Sequence, residues 1–199
     1  MRTPLTAEPS APVSRRSAPP ASSEPALSLP VRRALAALRI ATGVIFLWAF
    51  VDKTFGLGYA TASQNSWLNG GSPAGGYLSG VSAGPLESVF RSMAGQVWVD
   101  WAYMAGMLGI GAALVAGVAL RLTAVAGGLM MLTLWMAEWP PARHLSDGTA
   151  SMSPNPLVDQ HVVYLVALVV LALCSAGRTW GLGGRWARLP LVARHPWLR

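Results

Sequence analysis

Two groups of side chains in this sequence could carry chemistry, and the first lies in the N-terminal apolar segment. Arg39 is the single charge within residues 34–51, and an ionisable group inside an apolar block is a functional candidate by default. Lys53 follows fourteen residues later, which at 100° per residue returns it to within about 40° of the same helical face. With Phe46 between them, the pattern predicts an inward-facing path that is cationic at both ends. The alternative is that Arg39 extends back to the surface near Arg32, about 10 Å away along a helix.

The second group is polar and lies at the borders of the apolar segments. Its members are Asp52, Lys53, Glu138, Arg143, His144, Asp159 and His161. A histidine beside a carboxylate can pass protons, so Glu138, Asp159 and His161 are the predicted proton carriers. Tyr164 follows His161 by three residues and can donate a hydrogen bond to a polar headgroup. The alternative is that these residues are polar only because they are the first wet positions beyond an apolar segment.

Other reactive chemistries find little support in the sequence. The single cysteine, Cys174, excludes an intrachain disulfide and a Cys-x-x-Cys redox pair. No histidine lies within an uncharged apolar core, because His161 comes just before the fourth core begins at Val162, so a haem held by two histidines between helices has no candidate ligands. The spacing of His144 and His161 is too loose to indicate a metal. We therefore expect no haem, flavin or metal site.

The composition places these residues in a membrane. Of the 199 residues 53% are hydrophobic and only 12% are charged, against about 25% charged in an average soluble domain. The apolar residues gather in four blocks, which are residues 34–51, 101–120, 122–137 and 157–177. The second block is long enough to cross a hydrocarbon core of about 30 Å. The expected fold is all-α, an integral membrane four-helix bundle. The net charge of +7 then reflects topology and attraction to anionic lipid, and no nucleic-acid partner is expected.

The orientation follows from the distribution of lysine and arginine. A single helix through the second and third blocks would be about 58 Å long, so a tight hairpin is predicted at Gly117 and Arg121. With the N-terminus in the cytoplasm, that side receives most of the basic residues, and the other side keeps only Lys53, Arg91 and Arg143. Both termini are therefore expected in the cytoplasm.

The chain divides into a membrane domain and two tails. Residues 1–30 contain seven prolines and many Ser and Ala residues, which is typical of a disordered tail. Residues 31–186 form the predicted membrane domain. Residues 187–199 form a predicted basic cytoplasmic tail.

The first outer loop, residues 52–100, contains a short amphipathic segment. Apolar side chains repeat with helical spacing from Leu86 to Met93, and Glu87 and Arg91 form an i, i+4 pair on the polar side. Tryptophan residues that follow are typical of the membrane interface. The segment is therefore expected to lie in that interface as a lid over the outer mouth of the bundle.

With four helices and these borders placed, the chain resembles the DoxX/DoxD family of small bacterial and archaeal membrane proteins. The resemblance is carried, in order, by residues 38–43 (LRIATG), 52–56 (DKTFG), 117–121 (GVALR), 155–161 (NPLVDQH) and 176–183 (AGRTWGLG). It covers about residues 34–186. One departure is Met107, because family members often carry a glutamate after the corresponding glycine near the start of the second helix.

The resemblance implies a multi-pass protein of the bacterial inner membrane and, for DoxD-like members, the membrane subunit of a thiosulfate:quinone oxidoreductase. The implied electron acceptor is a quinone. On this hypothesis Arg39 and Lys53 attract an anionic substrate or stabilise a reduced quinone oxygen, Trp48 and Phe50 pack on the quinone ring, and the proton carriers named above move protons. The expected partners are the lipid bilayer, a soluble or membrane subunit, and further copies of the chain.

Two other functions stay open from the sequence. The first is a non-catalytic membrane scaffold that recruits a soluble oxidoreductase, because a bundle without a cofactor motif must borrow its redox centre. The second is a small-solute carrier. Four helices without a discontinuous pair are few for a carrier, although a homodimer would supply more.

Overall fold

The computed structural model describes residues 27–198, and within that range the chain is helical, with no β-strand. The α-helices are α1 (Leu29–Phe55), α2 (Gly75–Ser79), α3 (Glu87–Met93), α4 (Val97–Ala116), α5 (Leu120–Glu138), α6 (Gln160–Leu173), α7 (Gly183–Trp186) and α8 (Pro190–Arg194). Short 3₁₀ turns lie at Ser63–Asn65, Trp67–Asn69, Ala176–Arg178 and Pro196–Leu198. The expected all-α class is confirmed.

Three of these helices are long and apolar enough to cross a membrane, namely α1, α4 and α5. They contain 27, 20 and 19 residues, so even the shortest is about 28 Å long. α6 is apolar but has 14 residues, or about 21 Å, which is shorter than a hydrocarbon core of about 30 Å. The membrane character of the chain is thus supported by three helices, and the passage of α6 through the bilayer stays a prediction.

The turn between α4 and α5 is made by residues in the left-handed region. Gly117 has a φ of +72°, and its N–H bonds back to the carbonyl oxygens of Ala113 and Leu114, which ends α4. Ala119 follows with a φ of +49°, and α5 begins at the next residue. The predicted hairpin is confirmed, with Arg121 in the first turn of α5.

α1 and α4 approach closely because glycines lie at their contact. A Cβ on Gly111 would lie 2.9 Å from the backbone nitrogen of Leu47 and 3.0 Å from the carbonyl oxygen of Gly43. A Cβ on Gly43 would lie 2.9 Å from the Cβ of Leu114. Small residues of this kind let helix backbones pack without intervening side chains.

The main core is shared by all four long apolar segments. Its large buried members are Phe46, Met104, Met107, Ile110, Leu114, Leu120, Met131, Leu168 and Leu171. α4 packs against both α1 and α5, while α6 packs along α5 and also contacts α1. α6 is therefore an integral member of the bundle despite its short length.

Charged residues distinguish the two ends of the bundle. The acidic end carries Asp52, Glu87, Asp100, Glu138, Asp147 and Asp159, together with Lys53, Arg91 and Arg143. The basic end carries Arg32, Arg33, Arg121, Arg178, Arg185, Arg188 and Arg194. Among the residues that the structure describes, the basic end has no acidic side chain, so the two ends differ strongly in electrostatic potential.

Two short helices cover the acidic end. α3 occupies the predicted amphipathic segment, and Glu87 and Arg91 form the expected ion pair on its exposed side, 3.3 Å apart. Phe90, on the apolar side, is buried in a second core cluster with Ala74, Leu78, Val81, Val99 and Ala137. The amphipathic helix is confirmed, while its position in a membrane interface stays a prediction. α2, which supplies Leu78, was not predicted.

The structure describes little of the predicted N-terminal tail but nearly all of the predicted C-terminal tail. Most of the predicted N-terminal tail, residues 1–26, lies outside the described residues, and α1 begins at Leu29. The predicted C-terminal tail, residues 187–199, forms α8 and a final turn as far as residue 198. The Trp186 indole N–H donates to the carbonyl oxygen of Leu198 at 2.7 Å, which fixes this segment against the basic end.

Candidate functional site

Arg39 is completely enclosed near the basic end, with 0% of its surface exposed. Its Nη1 donates to the carbonyl oxygens of Leu114 and of Val115, the latter at 2.9 Å. Its Nη2 donates to the carbonyl oxygens of Thr179 and Trp180 at 3.2 and 2.9 Å. Two of these carbonyls end α4, where the helix carries partial negative charge, so a cation is well placed there. Arg39 therefore holds α1, α4 and the segment after α6 together, and does not extend back to the surface.

Glycines make room for the Arg39 guanidinium. A Cβ on Gly117 would lie 2.9 Å from Nη1, and a Cβ on Gly181 would lie 3.0 Å from Nη2. A Cβ on Gly177 would lie 2.0 Å from the carbonyl oxygen of Gly117. The α4–α5 turn and the segment after α6 are therefore in backbone contact around the arginine.

Lys53 lies at the other end of α1, about 21 Å from Arg39 along the helix axis. Its Nζ is 5.8 Å from the centroid of the Tyr103 ring, within the range of a cation–π contact. Phe46, which lies between the two cations on α1, is buried in the main core. The predicted path from Arg39 to Lys53 is thus filled by packed side chains, and Lys53 is the member of that pair that lies at the acidic end.

The aromatic residues predicted to bind a quinone differ in their surroundings. Trp48 is exposed, and its ring contacts that of Tyr59 edge-on, with centroids 5.1 Å apart. Phe50 and Tyr164 are half-buried against the main core. A further aromatic ring, that of Trp135, borders the same pocket as His161.

Glu138, Asp159 and His161 meet where α5 ends and α6 begins. Asp159 is the N-cap of α6, and its carboxylate accepts the backbone N–H of Val162 at 3.1 Å. The Nδ1 of His161 lies 2.8 Å from the Oδ2 of Asp159 and 3.8 Å from the Oε2 of Glu138. An imidazole with two carboxylates is therefore assembled at the acidic end.

The surroundings of Asp159 favour its charged form. Burial raises the pKa of this carboxyl, but hydrogen bonds from His161 and from the Val162 N–H outweigh it, and the net pKa lies below the usual value. A carboxylate that accepts a hydrogen bond from Nδ1 keeps the proton on that nitrogen. The Nε2 of His161 is then the nitrogen that can accept or release a proton.

The donor atoms of Glu138, Asp159 and His161 lie within 4.8 Å of one another, a spacing that a divalent cation could bridge. The 2.8 Å separation of Nδ1 from Asp159 is, however, already that of a hydrogen bond. This geometry fits a proton relay better than a metal centre, and the expectation of no metal site stays a prediction.

His161 borders a pocket of about 200 Å³ between α5 and α6. The other residues around it are Met131, Leu132, Trp135, Leu157, Val162 and Leu165. The Trp135 indole N–H donates to the carbonyl oxygen of Leu157 at 3.2 Å, which fixes the indole at the pocket. Leu132 and Leu157 are exposed. The pocket is therefore apolar, opens on the outer surface of the bundle and contains one titratable side chain.

Two buried carboxylates at the acidic end serve the loop between α1 and α4. Asp52 accepts the backbone N–H of Ala60 at 3.0 Å. Asp100 accepts the Ser72 hydroxyl at 2.7 Å and the Ala74 N–H at 2.8 Å. These hydrogen bonds fix the loop that carries the lid, and they assign both carboxylates a structural role.

Sequence reasoning missed Tyr77, a residue of α2 near the proton carriers. Its hydroxyl donates to the carbonyl oxygen of Leu134 at 3.3 Å. Burial and then the nearby Glu138 carboxylate raise the pKa of Tyr77 well above its usual value. Tyr77 also borders a second apolar cavity, of about 220 Å³, under the lid. Since α2 is only five residues long, it has too few residues to show a helical period.

Comparison of the chain with models of protein families, with curated proteins and with solved structures finds no match. The resemblance to the DoxX/DoxD family therefore remains a prediction from the motifs. Two of those motifs, residues 117–121 and 176–183, supply the three glycines and two of the four carbonyl groups around Arg39.

Proposed function

We propose that this chain is a membrane protein of the DoxX/DoxD type that binds a quinone at its acidic end and takes part in its reduction. The observation that carries the proposal is His161, whose Nδ1 is held by Asp159 while its ring borders an apolar pocket. A quinone head group needs an apolar slot, a hydrogen-bond donor for its carbonyl oxygen and a source of protons. Trp135, His161 and the neighbouring carboxylates supply these three features.

Protons would reach the pocket through the relay at the end of α5. Glu138 is exposed, so its carboxylate can exchange protons with water. Its Oε2 lies 3.8 Å from the Nδ1 of His161, but that nitrogen already carries the proton shared with Asp159. A proton from Glu138 would therefore pass by way of water to Nε2, from which His161 would donate into the pocket, while Asp159 stabilises the protonated imidazole.

The redox balance defines what the chain's own residues must do. Reduction of a quinone to a quinol takes two electrons and two protons. With thiosulfate as donor, which only the family resemblance suggests, two thiosulfate ions form a new S–S bond, give tetrathionate and release two electrons. Of the three cations at the acidic end, Lys53 is the one proposed to attract this anion. A partner subunit is the proposed carrier of the electrons.

The proposal includes α6 as a fourth membrane passage, in a bacterial inner membrane with both termini in the cytoplasm. It is supported by the membership of α6 in the main core. The separation of the charged residues into a basic and an acidic end also supports it, since arginine-rich loops remain on the cytoplasmic side.

Calorimetric titration of the full chain in detergent with a short-tailed ubiquinone analogue tests the quinone site. His161→Phe keeps a ring of similar shape but removes the donor, and we expect the analogue to bind about tenfold more weakly, as for the loss of one hydrogen bond. His144→Phe is the matched control, because His144 is exposed in the loop before α6. The affinity of His144→Phe for the analogue should equal that of the native chain.

Three outcomes would contradict the proposal. Equal affinity of the native chain and of His161→Phe would place any quinone elsewhere. Loss of quinone binding in the presence of EDTA would identify Glu138, Asp159 and His161 as ligands of a metal ion. Absence of binding, together with co-purification of a soluble oxidoreductase, would favour the scaffold function.

A further inference from the structure

A polar pocket of about 180 Å³ lies at the basic end. It is formed between the α4–α5 turn and the segment that follows α6. The residues that line it include Gly117, Arg121, Ser175, Gly177, Arg178 and Trp186. None of them belongs to the proposed quinone site, so the two sites are separate.

The walls of this pocket are fixed by backbone contacts. The carbonyl oxygen of Gly117 lies so close to Gly177 that no side chain fits between the two turns. Ser175 has a φ of +48°, which ends the α6 segment sharply. The indole of Trp186 is held by its hydrogen bond to the carbonyl oxygen of Leu198. The pocket is therefore a preformed feature of the fold.

The charge of this pocket is not neutralised within the described part of the chain. Arg121 makes a single long hydrogen bond, of 3.4 Å, to the carbonyl oxygen of Pro196. Arg178 is exposed, and no ion pair or side-chain hydrogen bond of it is found between residues 27 and 198. Since the basic end has no described acidic residue, no carboxylate within residues 27–198 competes with an external anion for the two guanidinium groups.

We propose that this pocket binds the phosphate group of an anionic phospholipid in the leaflet at the basic end. Guanidinium groups bind phosphate with paired N–H donors, and basic pockets beside membrane helices attract anionic headgroups. The pocket adjoins apolar helix surface, since Leu122 is 48% exposed and Leu173 is 79% exposed. That surface would accommodate the acyl chains, which a free phosphate ion lacks.

Native mass spectrometry of the full chain in detergent tests the proposal, with phosphatidylglycerol and phosphatidylcholine of identical acyl chains as probes. We expect phosphatidylglycerol to bind at least tenfold more tightly, because only it carries a net negative charge. In the double variant Arg121→Gln/Arg178→Gln this preference should fall about tenfold. The matched control, Arg188→Gln/Arg194→Gln, removes the same charge from the same end and should keep the preference.

Each contrary result overturns the proposal in a distinct way. An equal loss in both double variants would mean diffuse attraction to the basic end rather than a pocket. Displacement of phosphatidylglycerol by millimolar inorganic phosphate, with phosphate alone retained by the chain, would assign the pocket to the free ion. We expect both double variants to remain folded, because all four arginines are exposed. A thermal unfolding scan of each variant checks this.

Discussion

A guanidinium with no exposed surface is stable only where acceptors match its N–H groups. For Arg39 four carbonyl oxygens accept from Nη1 and Nη2, and they come from the end of α4 and from the segment after α6. Its Nε is buried without a hydrogen-bond partner among residues 27–198. The carbonyl of Val115 would otherwise lack a partner, because the last carbonyls of a helix have few donors within it, whereas the carbonyl of Leu114 also accepts the Gly117 N–H. The arginine and the helix end therefore stabilise each other.

Arg39→Ala should accordingly reduce stability severely. Removal of the side chain leaves the carbonyls of Val115 and Trp180 without their donor, and we expect the free energy of unfolding to fall by about 3 kcal/mol or more. Arg39→Lys keeps the charge but cannot donate in a planar fork, so it should recover only part of the loss. Thermal unfolding in detergent, followed by circular dichroism, measures both effects.

Arg33→Ala is the control for this series, because Arg33 is exposed at the same end of α1. Its unfolding temperature should match that of the native chain. An Arg39→Ala protein as stable as Arg33→Ala would show that the enclosed hydrogen bonds contribute little. An Arg39→Lys protein that is folded and stable but does not bind quinone would instead give Arg39 a role in ligand binding.

Asp159 should make the stability of the chain depend on pH. Because its pKa is lowered in the folded state, its contribution is complete above the unfolded pKa of about 3.9 and is lost as the pH falls through the folded value. Asp159→Asn keeps an N-cap acceptor but removes the charge beside His161. The difference in unfolding temperature between the native chain and Asp159→Asn should therefore shrink as the pH is lowered from 6 to 3.

A difference that stays constant over this pH range would mean that the charge of Asp159 does not stabilise the fold. Asp159→Ala provides the comparison, since it removes both the charge and the cap. It should cost about 1 kcal/mol through loss of the N-cap alone, and that part should persist at low pH.

The residues of the candidate sites could be recognised in the sequence more easily than their roles could be predicted. Arg39 is conspicuous as a lone charge, but its partners lie 75 to 141 residues away in the chain, so no local pattern shows that it bonds to backbone. The grouping of Asp159 with His161 was predictable because the two are neighbours at a helix start. Trp135 was missed, since only the packing of α5 against α6 places it there.

At the scale of the helices, close backbone contact is the feature that fixes α1 against α4. Gly111 and Gly109 lie on the same helix but in different surroundings. A Cβ on Gly111 would clash with the backbone of α1, whereas a Cβ on Gly109 would have no heavy atom within 4 Å. The two glycines therefore form a matched pair for mutation.

Gly111→Ala should lower the free energy of unfolding by about 1–3 kcal/mol, because α1 must move to accommodate the methyl group. Gly109→Ala should leave stability unchanged or raise it by up to about 1 kcal/mol, since alanine favours a helix over glycine. Chemical unfolding of the two variants in detergent compares them directly. Similar effects of both substitutions would mean that α1 and α4 are not in tight contact.

The helices themselves were largely predictable, because long uncharged blocks permit little else. The borders were harder to predict. The fourth block spans residues 157–177, but Asp159 caps α6 at its start and left-handed Ser175 follows its end, which leaves 14 helical residues. α2 lies in Gly/Ser-rich sequence and forms because Leu78 packs under the lid, a tertiary effect that overrides local propensity.

For the molecule as a whole, the number of membrane passages decides whether the two walls of the proposed lipid site, the α4–α5 turn and the segment after α6, lie on the same face of the membrane. An even number of passages puts both termini on one side. The 14-residue α6 is the uncertain passage, because its ends at Asp159 and Leu173 are closer together than a hydrocarbon core is thick. Asp159 and the arginines beyond α6 would both reach the interface if the bilayer thins locally.

Single cysteines on either side of α6 test this directly. In a Cys174→Ala background, Ser28→Cys, Ser153→Cys and Arg188→Cys each place one thiol at an exposed position before α1, before α6 and after α6. With four passages, a membrane-impermeant maleimide added to intact cells should label only Ser153→Cys. Ser28→Cys and Arg188→Cys should react only after the cells are lysed. Labelling of both Ser153→Cys and Arg188→Cys in intact cells would reduce the passages to three. The segment after α6 would then lie on the side of the acidic relay, opposite the α4–α5 turn, and the phosphate pocket proposed between this segment and the turn could not form.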